Sequence, residues 1–117
     1  MPSMTVNQHP EAAALLAGDF PRRFMTITVA SGQVQPAGAV MGEVTADEKY
    51  ILSASAATDG SQTPSVILWE AVDATDGDVE AEALICGDVR GEKLTLGTGH
   101  TVASVRKALR SLSLFVR

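Results

Sequence analysis

The chain has 117 residues, of which 45% are hydrophobic and 4% aromatic, and it carries a formal net charge of −5. One domain of that length removes roughly two-thirds of its unfolded surface from water, enough for a core without disulfides or a structural metal. The acidic balance argues against a nucleic-acid partner, which needs clustered Lys and Arg. No run reaches the ~18 apolar residues of a membrane span, so no membrane partner is expected.

The first twenty residues differ from the rest. Residues 1–10 hold two prolines and no sustained period. Residues 11–17, EAAALLA, favour a helix but are too few to hold one alone, and Gly18 and Pro21 follow. The apolar run is also too short for a secretory leader, so none is expected. The reading is a flexible N-terminal arm over residues 1–23 that orders on a partner, with Met4, Val6, Leu15, Leu16 and Phe20 supplying apolar contacts.

From Phe24 onward the signals are β. A strand is expected over 24–30, with polar and apolar residues alternating from Thr26; Ser31-Gly32 stops it, and Pro36-Ala37-Gly38 punctuates again before residues 39–44. Further strands are expected at 50–53, 65–72, 82–88 and 93–96, with turn-rich stretches at 58–64 and 73–80. The segment SVILWEAV at 65–72 is the most hydrophobic and holds the single Trp, so it should run through the centre with Trp69 as a packing anchor. Cys86, the one cysteine, lies in an apolar run and reads as a buried small hydrophobe.

One helix is expected over 101–111. Val102, Val105, Leu109 and Leu112 fall on one stripe, and Thr101 is a suitable N-cap. The apolar tail at 112–116 must pack on the sheet, enter a subunit interface or form a last short strand. Residues 24–117 thus read as a mainly β, compact β-clip-like or small barrel-like domain with one C-terminal α-helix.

Charge is unevenly spread. Twelve of the fourteen acids lie between Glu43 and Glu92, while the last seventeen residues hold four cations and no acid. A solvated acidic sheet beside a helix with basic residues near its C-terminus accounts for this pattern. Docking between oppositely charged faces is the other reading.

Little chemistry survives inspection. Asp73, Asp76, Asp78, Glu80 and Glu82 invite calcium, but their spacing around Gly77 is not that of an EF-hand loop. Gly97 and Gly99 before the helix lack the Lys of a phosphate loop, leaving a glycine-shaped turn beside His100. Cys86 has only His9 and His100 as possible bases, and no GxSxG, HExxH or CxxC spacing occurs. No catalytic residue, metal or cofactor is expected, and the chain does not read as an enzyme.

Four pieces in order carry a family resemblance. The first is VASGQ, then PAG, then VMGEVT, within residues 26–45. The second is Lys49-Tyr50 followed by AATDGSQTP at 56–64, and the third is Ile67-Leu68 with EAVDAT at 70–75. The last is Leu94-Thr95-Leu96 with the helix and its closing Leu112-Ser113-Leu114. Over 24–117 the chain resembles the phage lambda-type head decoration proteins. That resemblance implies a β-clip-like fold and a homotrimer on the outside of an expanded phage head, at three-fold and quasi-three-fold points. It implies the major capsid protein as partner, cemented against internal DNA pressure, and an arm that orders on the shell. It also implies synthesis in the host cytoplasm and residence on the outer capsid surface. Residues 1–23 match no family string, and Trp69, Leu112, Leu114 and Phe115 are expected in the core or at the trimer interface. The alternative is a small β-domain adaptor that binds a peptide or host surface.

Overall fold

The computed structural model describes residues 22–117. The strands are β1 (Arg23–Val29), β2 (Val34–Gln35), β3 (Val40–Glu43), β4 (Tyr50–Leu52), β5 (Val66–Leu68), β6 (Val72–Asp73), β7 (Val79–Val89) and β8 (Leu114–Val116). A 3₁₀ turn at Gly91–Lys93 and a single helix, α1 (Val102–Arg110), complete the elements.

Five strands close into a small barrel in the order β1-β4-β3-β5-β7, because β7 also pairs back to β1. The long antiparallel β1–β7 ladder runs from Arg23↔Cys86 to Val29↔Val79. It skips a residue beside Cys86, where the register shifts between Arg23 and Phe24. Closure leaves no long free edge in the barrel. β2 and β6 form a separate two-stranded ribbon, and β8 adds in parallel to the far end of β7 through Gly87↔Leu114 and Val89↔Val116.

Alternation along the strands builds two cores, one on each face of the sheet. Ile27, Val29, Met41, Val66, Leu68, Ala81 and Ala83 meet in one cluster, which fills the barrel. The two alanines keep β7 slim there, as a narrow barrel requires. Ile67, Leu84, Val40 and Trp69 point the other way, where α1 and β8 cover them with Val105, Leu109, Leu114 and Val116.

α1 begins where the sequence reading put it. Thr101 caps it, its side chain accepting from Ser104 N–H while Ser104 Oγ accepts from Thr101 N–H. Val105 and Leu109 are fully buried, but Leu112 lies beyond the last turn and is 44% exposed. The helical stripe therefore stops at Leu109. Ser113, with φ of 69°, turns the chain into β8, so the tail forms a last short strand.

Four other expectations change. The 65–72 segment is two strands, because the ladder beside β7 ends at Trp69. Trp69 N–H donates to the Glu82 carbonyl, and the Glu70 carboxylate then takes Glu82 N–H in place of a backbone carbonyl. The 73–80 stretch is a shorter turn than expected, since pairing with β1 extends β7 back to Val79. Residues 93–96 make no strand of their own. Lys93 ends the 3₁₀ turn, and Thr95 makes one isolated bridge to Ala39, the residue before β3. Cys86, beside the β7 irregularity, is half-buried rather than buried.

Candidate interaction surfaces

The two ends of the barrel are built differently. At one end β1 begins, β8 lies against β7, and α1 packs on β8. Phe24, the second residue of β1, packs edge-on against Trp69 at 4.8 Å between ring centroids. Arg22 lies over Gly87, its Cγ close to the position a Cβ would occupy there. Arg22 therefore lies beside β7 at the point where β8 pairs with it.

This end is rich in cations: Arg22 just before β1, Arg23 in β1, Arg106, Lys107 and Arg110 in α1, and Arg117 after β8. Two of them have structural work. Arg106 Nε donates to the Val116 carbonyl at 2.9 Å, fastening α1 to β8. Arg117 Nη2 donates to Asp88 Oδ2 at 2.8 Å, where it meets a carboxylate whose side chain is only 9% exposed. Lys107 and Arg110 remain exposed in the last helical turn, favourably placed on the helix dipole. Of the four residues expected in the core or at an interface, Trp69 and Leu114 are buried, Phe115 is half-buried and Leu112 is exposed. The arm residues Met4, Val6, Leu15, Leu16 and Phe20 lie outside the described residues.

The opposite end is acidic. Val29, Tyr50 and Val79 meet there, and the adjoining turns carry Asp47, Glu48, Asp73, Asp76 and Asp78 with Lys49. Three turns are joined through one carboxylate. Asp78 Oδ1 accepts from Ser31 N–H at 2.9 Å, and Oδ2 meets Lys49 Nζ at 2.7 Å. The Lys49 ammonium, then Ser31 N–H, hold Asp78 below the usual carboxylate range. Asp78 in turn raises Lys49. Asp73 accepts from the hydroxyl and N–H of Thr75, which lowers its carboxyl as well. Glu80 and Glu82 are exposed on β7. These carboxylates are spent singly on turns or spread over a strand, and no group of three potential metal ligands converges among the described residues.

Between the ends, the long loop after β4 is clamped from two sides. His100 Nε2 lies 3.2 Å from both Ser53 Oγ and the Gln62 carbonyl oxygen, and Nδ1 lies 3.3 Å from Ser104 Oγ. A carbonyl only accepts, so Nε2 carries a proton in its bond to Gln62. Gly97 and Gly42 let the backbone come close: a Cβ on Gly97 would sit 2.0 Å from the Ser53 carbonyl oxygen, and one on Gly42 2.1 Å from that of Ser61. His100 and its two glycines are thus loop fasteners. The sequence alone suggests only an anion site or a plain turn there. The signal it lacked was the long-range partner, 38 residues away at Gln62.

The chain is a mainly β domain built on a small closed barrel, with one C-terminal helix. The family model of bacteriophage lambda head decoration protein D matches residues 5–115, and the chain belongs to that family. It is a capsid decoration protein, a structural component of the phage virion. The match begins at residue 5, so it includes most of the segment that the quoted strings left outside the resemblance. No curated protein matches the chain significantly.

Proposed function

We propose that this protein assembles as a homotrimer on the outer surface of an expanded phage head, at three-fold and quasi-three-fold points. There it contacts the major capsid protein and stabilises the shell. The observation that carries this reading is the family match over 5–115, which spans both the barrel and the segment preceding it. Residues 1–23 act as the capsid-binding arm and 24–117 as the decoration domain. The protein is made in the host cytoplasm, works without a cofactor and performs no catalysis.

The geometry agrees with this assignment. The arm joins the barrel at the cation-rich end, beside β8 and α1. That end faces the shell in this reading, and the acidic end faces outward. Three arms held on one trimer engage together, so a modest contact per arm becomes tight attachment. An arm that adds a strand to a capsid segment gains main-chain hydrogen bonds without demanding particular side chains, although Met4, Val6, Leu15, Leu16 and Phe20 supply the apolar part. In this reading Leu112, exposed between α1 and β8, contacts a neighbouring subunit.

Light scattering on the full chain tests the oligomer, and deletion of residues 1–21 tests the arm. The expected result is three chains per particle with or without the arm, and head binding only with it. A monomer removes the trimer, and a truncated protein that still saturates expanded heads removes the arm mechanism.

A further inference from the structure

The sequence contains two Asp-Gly dipeptides, Asp59-Gly60 and Asp76-Gly77. Such pairs share one spontaneous chemistry. The glycine backbone nitrogen attacks the aspartate side-chain carbonyl carbon, a C–N bond forms, a C–O bond breaks and one water leaves. The resulting succinimide takes up water again and opens at either carbonyl, giving aspartate or isoaspartate. No oxidant or other reactant is needed. The step requires a carboxyl free to rotate toward the next nitrogen, a nitrogen free to attack, and room for a five-membered ring.

The structure treats the two sites oppositely. Asp59 is held: its Oδ1 accepts from Ser61 N–H at 3.0 Å and from the Ser61 hydroxyl at 2.6 Å. Gly60 N–H is held as well, donating to Gln62 Oε1 at 2.8 Å. There is little room beside Gly60, where a Cβ would lie 2.1 Å from Thr45 Oγ1 and 3.0 Å from the Glu43 carbonyl oxygen. The Ser61 bonds also keep the Asp59 carboxyl ionised to lower pH, and a carboxylate is the poorer electrophile.

Asp76 has none of this. It is exposed at the tip of the β6–β7 turn, and no described residue donates to its carboxylate. Gly77 N–H makes one long bond, 3.3 Å to the Ala74 carbonyl oxygen. Nothing lies within 4 Å of a Cβ position on Gly77. We propose that Asp76-Gly77 is a self-modification site that converts to isoaspartate as the protein ages, and that the Ser61–Gln62 clasp protects Asp59-Gly60 from the same fate. The product inserts a methylene into the backbone two residues before Asp78, whose carboxylate joins the Ser31 and Lys49 turns.

The test is incubation of the full chain at neutral pH and elevated temperature, followed by peptide mapping. Isoaspartate is read by a repair methyltransferase and by fragmentation, and the succinimide as loss of one water. The hydrogen bonds that hold Asp59 and Gly60 must break before the ring can close, which slows that site, so position 76 should accumulate at least roughly tenfold more isoaspartate than 59. The same chain held in denaturant should modify both sites at similar rates. Asp76→Glu, which would need a less favourable six-membered ring, should remove the signal at 76, and Gln62→Ala should raise it at 59. Equal accumulation at the two sites in the folded chain, or none at 76 while the denatured chain reacts, overturns the proposal.

Discussion

Phe24 and Trp69 meet edge to face, with ring centroids 4.8 Å apart and planes inclined at 63°. Trp69 is 5% exposed and belongs to the cluster that α1 and β8 cover, while Phe24 is the second residue of β1. One aromatic contact therefore ties the start of β1 to the outer core. Trp69→Ala should cost about 3–5 kcal/mol of unfolding free energy. A double-mutant cycle with Phe24→Leu and Trp69→Leu should return a coupling of about 0.5–1.5 kcal/mol in chemical denaturation. A coupling of zero would mean the two rings are merely neighbours.

The Lys49–Asp78 pair predicts a pH dependence with two flanks. Asp78, Asp59 and Asp73 are each held below the ordinary value of 3.8, by Lys49, Ser61 and Thr75 respectively. Their contributions are present above that value and are lost as pH falls through the lowered folded values. Lys49 is held above its ordinary 10.5 by Asp78, and burial raises Tyr50 above 10.0. Those contributions are present at lower pH and are lost as pH rises through the folded values. Thermal melting across pH should show a plateau between the flanks. Asp78→Asn should lower the plateau slightly and soften both edges, because the pair is solvent-exposed. A variant profile parallel to the parent's would show that the pair contributes nothing.

The clamped loop predicts sharp intolerance at two glycines. Alanine at Gly97 or Gly42 would drive its Cβ into a backbone carbonyl at about 2 Å, with no flexible atom to yield. Each should cost about 1–3 kcal/mol or more. Alanine at Gly32 offers the contrast: its φ of +96° imposes strain, but nothing lies within 4 Å, so the cost should stay near 1 kcal/mol. His100→Ala should leave α1 intact and raise hydrogen exchange at residues 53–64, where the imidazole is the far anchor.

Local pattern carried much of the fold. β1, β3 and β4 were legible from alternation and turn residues to within a residue at each end, and α1 from its stripe and its Thr101 cap. What escaped was set by partners distant in the chain. β7 begins at Val79 because β1 lies opposite, and β5 stops because Glu70 reaches across to Glu82. Leu112 looked helical by spacing, yet the chain turns at Ser113 to pair with Gly87. Sheet closure cannot be read from a single strand, so the barrel ends and their opposite charge emerge only in three dimensions. The interaction surfaces were less legible still. Exposed Leu112 and buried Leu114 carry the same apolar signature in sequence.

The most direct test of the decoration role is co-sedimentation of the full-length protein with expanded heads of its phage, scored by bound copies per head. The account predicts saturable binding at three copies per three-fold or quasi-three-fold point, with the decorated heads surviving heating that opens bare ones. Full-length, folded protein that remains in the supernatant at saturating concentration would contradict it.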